Sequence, residues 1–99
     1  MVAVDNFALR RWRALDAALV LSKVADYAKA DATYTPVKNR SSSRWHVTCR
    51  GTDFELLLTG PKFWDIRGQV GGGGAVDLLM HLEKRSFKGA VARLVSLGL

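Results

Sequence analysis

Basic side chains are concentrated in the middle of the sequence, where they could neutralise the phosphates of an anionic polymer. Residues 32–52 contain four basic residues and no acidic residue. The four are Lys38, Arg40, Arg44 and Arg50. The whole chain of 99 residues has a formal net charge of +6, which favours a polyanionic partner such as nucleic acid. The alternative is a generally basic surface without such a partner.

The two histidines and the single cysteine do not form a recognisable metal or catalytic site. His46 and Cys49 are three residues apart, which in a strand places them on opposite faces. A tetrahedral zinc site requires four N, S or O ligands, and the sequence has no second cysteine. The carboxylates are scattered singly, and His81 is predicted to lie on a helix surface. We therefore expect no metal, no cofactor and no enzymatic activity.

The elements that would position the basic residues follow from hydrophobic periodicity. Residues 6–30 have apolar positions at helical spacing after a cap at Asp5 or Asn6. One continuous helix is possible, but two are favoured, with a break near residues 21–23 and Ser22 as the second cap. The sequence then predicts a loop over residues 37–43. Near the C-terminus it predicts a helical pair, over residues 75–84 and from the Ser86 cap to Gly98.

Between these helical regions the periodicity changes to two, which predicts three short antiparallel strands. They cover residues 44–50, 54–59 and 62–67, with turns at residues 51–53 and at Gly60-Pro61. The predicted fold is therefore α+β, a three-stranded antiparallel sheet packed with an N-terminal helix or helices and a C-terminal helical pair. No apolar run approaches the roughly 20 residues that span a bilayer, so we expect no membrane association and a cytoplasmic location.

The alternation assigns the strand residues to two faces. The predicted core face carries Trp45, Val47, Cys49, Phe54, Leu56, Leu58, Trp64 and Ile66. The predicted open face carries Arg44, His46, Arg50, Leu57, Phe63 and Arg67. Cations for phosphates and rings for bases are what single-stranded nucleic acid requires. The alternative is that the N-terminal helix covers Phe63 and Leu57 and that the arginines are merely solvated.

Four consecutive glycines, residues 71–74, stand between the third predicted strand and the helix at Ala75. No Gly-Lys-Ser/Thr follows them, so they are not a nucleotide-binding P-loop. They are interpreted as a flexible turn or, with help from Arg67, as a phosphate contact at the start of a helix.

Two segments of the sequence resemble a known family. They are residues 63–83, which include Phe63-Trp64-Asp65 and Gly73-Gly74-Ala75-Val76-Asp77-Leu78-Leu79-Met80, and the run Ser86-Phe87-Lys88-Gly89-Ala90-Val91-Ala92-Arg93-Leu94. Together they resemble the N-terminal zinc-binding domain of bacterial replicative primases, and still more the primase-like proteins of plasmids, phages and integrative elements. The resemblance extends over residues 22–97, so residues 1–21 are interpreted as a helical extension of one module covering residues 1–99.

The resemblance implies a zinc-ribbon-like sheet that contacts single-stranded template and partner replication proteins. The zinc ligands are missing here. Cys49 matches the first cysteine of the family, but Thr52 stands in place of histidine, and the second pair falls near Arg67 and Val70. The resemblance therefore implies a metal-free form of the sheet. Primer synthesis by this chain alone is not expected, because the catalytic domain of primases is not within these residues.

The sequence thus predicts a non-catalytic module that binds single-stranded DNA, or RNA, and assists replication or transfer of a mobile element. The residues predicted to bind are Lys38, Arg40, Arg44, His46, Arg50, Lys62, Phe63 and Arg67. The alternative is a protein-interaction module that docks onto a polymerase, helicase or relaxase through the Arg-rich N-terminal helix that carries Trp12.

Overall fold

An antiparallel sheet whose five strands follow one another in chain order forms the centre of the fold. A computed structural model describes residues 5–37 and 39–99. The strands are β1 (Tyr27–Ala30), β2 (Ser42–Cys49), β3 (Thr52–Thr59), β4 (Lys62–Asp65) and β5 (Val70–Gly72). The helices are α1 (Asn6–Ala14), α2 (Ala17–Val24), α3 (Ala75–Leu82) and α4 (Phe87–Ser96). The predicted α+β class with an antiparallel sheet is confirmed, but the prediction of three strands is wrong.

The β2–β3 hairpin is the longest pairing of the sheet and has the predicted faces. Arg50 and Gly51 form its turn with positive φ angles of 52° and 79°. Val47 pairs with Phe54 and Trp45 with Leu56, so their side chains share the face that the helices cover. Residues between them in sequence point the other way.

The first additional strand, β1, lies where the sequence predicted helix. The helical prediction for residues 25–30 is wrong, because Ala25 has extended backbone and ends α2. Tyr27–Ala30 instead pairs with residues 45–48 of β2. Alanine and lysine favour a helix locally, but the unpaired edge of β2 offers backbone hydrogen bonds that outweigh this weak preference.

The second additional strand, β5, contains two of the four glycines. The predicted glycine turn is wrong in position, because the chain reverses over residues 66–69 instead. A Cβ atom on Gly71 would lie 2.8 Å from the Trp64 ring, and one on Gly72 would lie 2.6 Å from the Phe63 ring. Glycine is therefore required here because two aromatic rings of β4 lie against the backbone of β5.

The N-terminal region forms two helices, as the sequence analysis favoured, but the predicted position of the break between them is wrong. The chain leaves helical geometry at Leu15 and Asp16, which have ψ angles of 132° and 131°. The Ala17 N–H then donates to the Gly60 carbonyl at 2.9 Å, which joins the start of α2 to the β3–β4 turn. Ser22 is not a cap, because it lies inside α2 and its hydroxyl donates to the Leu19 carbonyl. Of the two predicted caps, Asp5 or Asn6, the cap is Asp5, which accepts from the Ala8 N–H at 2.7 Å, and Asn6 is the first residue of α1.

The C-terminal helical pair closes the core over one face of the sheet. Ser86 caps α4 by accepting from the Gly89 N–H, and Gly98 ends it with a φ angle of 75°, both as predicted. α1 crosses the start of α3 so closely that a Cβ on Gly74 would lie 3.1 Å from the Arg13 Cα. Trp12 and Leu21, within the predicted N-terminal extension, share one buried cluster with Leu56, Leu78 and Leu94.

No helix among the described residues is long and apolar enough to cross a bilayer.

The close approach at Gly72 gives a first prediction. Gly72→Ala should lower the free energy of unfolding by about 1–3 kcal/mol, because the new methyl group would overlap the Phe63 ring and the Cβ of Asp77. Gly73→Ala is the matched control, since a Cβ there meets nothing within 4 Å. Urea denaturation of both variants measures the difference. Equal stability of the two variants would contradict the packing described for β5.

Candidate nucleic-acid interface

The sheet face opposite the helices is open to solvent and carries four of the eight predicted binding residues. Strand alternation places on it the side chains of Tyr27, Lys29, Arg44, His46, Glu55, Leu57, Lys62 and Trp64, and Arg67 joins them from the turn after β4. We call this set of nine residues the open face. These nine residues present cations, one carboxylate, two aromatic rings and one aliphatic side chain. The same alternation adds a second carboxylate beside them, that of Asp53, which accepts from the Thr48 hydroxyl at 2.7 Å.

Glu55 lies at the centre of the cations on the open face. One of its carboxylate oxygens accepts from Arg44 at 3.2 Å, and the other lies 2.7 Å from His46 Nδ1 and 3.5 Å from Arg67. The Glu55 side chain is only 13% exposed, whereas Arg67 is 63% exposed. The carboxylate therefore holds the inner end of the cluster and orients the basic groups, which remain accessible from solvent.

A guanidinium has five N–H donors, so an arginine bound to one carboxylate can also donate to a phosphate. Arg44 uses its Nε and one Nη atom on Glu55, and Arg67 contributes one Nη atom. Both arginines keep N–H groups that Glu55 does not use, so an incoming phosphate can share these cations with the carboxylate. The arrangement can bind an anion with cations that are already oriented.

The predicted residues divide into three groups. Arg44 and His46 lie on the open face as predicted, and Arg67 reaches it from the turn after β4 rather than from a strand. Lys62 also lies on this face, to which the sequence analysis had not assigned it, and Arg40 is exposed in the loop before β2. Phe63 and Arg50 do not lie on the open face. Lys38 lies outside the described residues.

Phe63 is a core residue, and the prediction that it lies on the open face is wrong. The Gly60-Pro61 turn pairs Thr59 with Lys62, so Phe63 lies opposite Leu58 and shares its buried face. Phe63 is 5% exposed, whereas Trp64 is 40% exposed on the other face. The prediction that Trp64 faces the core is therefore also wrong. Counting the register across this two-residue turn would have shown from the sequence that Phe63 faces the core and Trp64 faces solvent.

Arg50 also leaves the open face, because its positive φ angle of 52° turns it out of the strand alternation. Its guanidinium donates to the Glu83 carbonyl at 2.9 Å, at the C-terminal end of α3. Glu83 itself is 5% exposed and binds Arg85 at 2.7 Å. Arg50 therefore ties the β2–β3 turn to a helix end, where a cation is favourable for the helix dipole.

His81 is half-buried, so its predicted place on a helix surface is wrong. Its Nε2 lies 2.7 Å from the Asp65 carboxylate, and its ring stacks on Phe63 with a centroid distance of 5.6 Å. Asp65 is 4% exposed and also accepts from the Gly68 N–H at 2.8 Å. The pair joins β4 to α3 beneath the sheet, on the side away from the open face.

The environment of Asp65 shifts its ionisation. Burial raises the pKa of its carboxyl, but the hydrogen bonds from the Gly68 N–H and the His81 ring lower it more, so the net pKa is below the ordinary 3.8.

Burial also raises the pKa of the Cys49 thiol, which faces the core as predicted, away from His46. Among the described residues no group of three or more His, Cys, Asp or Glu side chains could hold a metal ion.

The glycine run offers little to a phosphate at the start of α3. The Asp77 carboxylate already accepts from the Gly73 N–H at 3.3 Å. A negative side chain thus occupies the position that an anion would take. The open-face residues that the sequence analysis missed as site residues are Glu55 and Trp64, together with Tyr27 and Lys29 of β1. The sequence signal for Glu55 was the alternation of β3, which assigns Glu55 to the face of the sheet away from Phe54 and Leu56.

Comparisons with known proteins identify no family for this chain. No family model matches it, and no solved structure matches it significantly. A stretch of 41 residues, or 41% of the chain, is 46% identical to part of a 65 kDa protein of Zymomonas mobilis subsp. mobilis. The match spans 7% of the length of that protein, whose name states a mass and no activity.

The Asp65–His81 pair gives a second prediction. Asp65→Asn should lower the free energy of unfolding at neutral pH by about 1–3 kcal/mol, because it weakens buried hydrogen bonds to a charge. A carboxyl whose folded pKa is depressed contributes its stability above the unfolded pKa and loses it as pH falls through the folded pKa. The difference between the wild type and the variant should therefore narrow as pH falls below 3.8. Urea denaturation across a pH series measures it.

Asp16→Asn is the control for this series, because Asp16 is exposed and its side chain makes no capping hydrogen bond. This variant should stay close to the wild type at every pH. A difference for Asp65→Asn that does not change down to a pH of about 2 would contradict the ionised pair.

Proposed function

We propose that the chain is a non-catalytic module that binds single-stranded DNA across the open face. The observation that carries the proposal is the cluster of Arg44, His46 and Arg67 around Glu55, together with an exposed ring at Trp64. Lys29, Lys62 and Arg40 extend the positive charge on either side. Cations that follow a phosphate backbone, combined with aromatic side chains, are the usual means of binding single strands without strong sequence preference.

The proposal includes the biological setting that the resemblance implies. A metal-free, primase-like scaffold that binds single-stranded template would assist replication or transfer of a plasmid, phage or integrative element. The support for this part is the sequence pattern around residues 63–94 and the net charge of +6. RNA is the other single-stranded ligand that this chemistry admits, and a ribo-oligonucleotide of the same sequence tests that preference.

Loss of the two arginines gives a third prediction. Arg44→Ala combined with Arg67→Ala should weaken binding of a labelled oligo(dT) about fivefold per lost phosphate contact at 0.1 M salt. The slope of log K against log salt should also become shallower by roughly 1.4, because each contact to a single strand contributes about 0.7. Fluorescence anisotropy at several salt concentrations measures both quantities.

Two matched controls separate the open face from overall charge. Lys23→Ala with Lys88→Ala removes two exposed cations from α2 and α4 and should leave both quantities nearly unchanged. Glu55→Gln should strengthen binding, because it releases three basic groups from their carboxylate, whereas Asp16→Asn changes the same charge elsewhere and should not. If both double variants weaken binding equally, the interaction is non-specific and the proposal fails.

A second candidate function is docking onto an acidic partner protein through α1. The sequence-based version relied on Trp12, but Trp12 is 2% exposed and belongs to the core. What favours the candidate is Phe7, which is 80% exposed on the same helix as the exposed Arg10 and Arg13. Deletion of residues 1–21 cannot test it, because the deletion would remove buried residues of α1 and α2.

The fourth prediction therefore uses a point substitution. If α1 is the docking surface, Phe7→Ala should abolish capture of a candidate helicase, polymerase or relaxase while DNA binding is retained. Val37→Ala is the control, since Val37 is a similarly exposed apolar residue at 92%. Pull-down with purified partners measures capture. Retention of capture by Phe7→Ala would exclude this surface.

A further inference from the structure

Trp64 has the geometry of a stacking platform. A Cβ atom on Gly71 would lie 2.8 Å from Cε3 and 3.4 Å from Cζ3 of the Trp64 ring, so the ring lies over the backbone of β5. Only glycine leaves room for this arrangement. The residue is nevertheless 40% exposed, so the part of the ring that does not meet β5 is available to a flat, apolar ligand.

A shallow depression of about 310 Å³ lies beside this ring. Its size is near the lower limit of small-molecule sites, which are typically about 300–1,000 Å³. The polar groups around it include amide, hydroxyl and ammonium groups, and Leu57 supplies an apolar part of the lining. Its lining includes Asn39, Ser42, Leu57, Thr59, Lys62 and Trp64.

Cations lie at suitable spacings from the platform. Leu57 pairs with Trp64 on one side and with Arg44 on the other, so Arg44 is two strands from Trp64, a separation of about 10 Å. Lys62 precedes Trp64 by two residues on the same face, about 7 Å along β4. A ring with phosphate-binding cations on two sides matches a nucleotide whose base stacks while its neighbouring phosphates are neutralised.

We propose that Trp64 is the base-stacking residue of this module and that one unpaired base of single-stranded DNA occupies the depression between Trp64 and Lys62. This inference rests on the proposed DNA-binding function. Within that function, Trp64 recognises an unpaired base, whereas the cations recognise the charge of the phosphates. In a duplex the faces of the bases are covered by their neighbours, so this platform selects single strands.

The test compares two ligands of about 12 nucleotides, oligo(dT) and an oligomer of the same length in which every site is abasic. Trp64→Ala should weaken oligo(dT) binding roughly tenfold, because a stacked base is lost, and should leave abasic binding and the salt slope unchanged. Trp64→Phe should retain most of the affinity, since it keeps a ring. Phe87→Ala is the matched control, because Phe87 is 45% exposed on α4.

Tryptophan fluorescence gives an independent readout. Oligo(dT) should quench the emission of the wild type, and Trp64→Phe should remove most of this quenching although Trp12 and Trp45 remain. Urea denaturation establishes that each variant is folded. If Trp64→Ala is not folded, the fluorescence measurement on Trp64→Phe still tests the inference.

The outcomes distinguish this inference from the function on which it rests. Salt-dependent oligo(dT) binding that Trp64→Ala leaves unchanged, or that falls equally for the abasic oligomer, overturns the stacking role and leaves the proposed function standing. Absence of salt-dependent binding to either oligomer by the wild-type chain overturns both.

Discussion

The register of the β3–β4 hairpin is the constraint on which the two faces of the sheet depend. Because only Gly60 and Pro61 separate the strands, Lys62 must pair with Thr59, and every later residue of β4 is then assigned to a face. Phe63 and Asp65 are directed into the core, and Trp64 is directed to solvent. A shift of one residue would bury the tryptophan and expose the phenylalanine.

The glycines of β5 follow from that register. Gly71 lies under the Trp64 ring and Gly72 against the Phe63 ring, so each glycine accommodates an aromatic residue on a different face. Asp65 is buried by the same alternation. The Gly68 N–H of the following turn stabilises its carboxylate, and His81 joins it to α3. The glycine run is thus a packing device for the aromatic residues of β4 rather than a separate phosphate site. Glu55, on the opposite face, plays a comparable organising role for the arginines.

Much of the fold could be read from the sequence because several signals were local. The caps at Asp5 and Ser86, the end of α4 at Gly98 and the faces of β2 and β3 depend on nearby residues and simple alternation. β1 could not be read in this way, because Tyr27–Ala30 becomes a strand only by pairing with β2. The same holds for β5, whose glycines have weak strand preference and depend on rings contributed by β4.

The candidate site was predicted less completely than the fold. Arg44 and His46 could be placed from periodicity, but Lys62 was not assigned to the open face and the aromatic partner was assigned to the wrong residue of β4. Arg67 reaches the open face from the turn after β4, not through strand alternation. Arg50 was lost because a positive φ angle at a turn ends strand alternation, and sequence patterns do not report that angle. The convergence of three basic groups on Glu55 involves side chains from β2, β3 and the turn after β4, which only the three-dimensional structure brings together.

The most direct test of the central claim is to map the DNA-binding surface by NMR. A ¹⁵N-labelled sample titrated with oligo(dT) should show its largest chemical-shift changes at backbone amides of β2, β3 and β4 and at the indole N–H of Trp64. The amides of α3 and α4, which cover the opposite face, should change little. Changes concentrated on α1 or α4, with the strand amides and the Trp64 indole unaffected, would contradict the account.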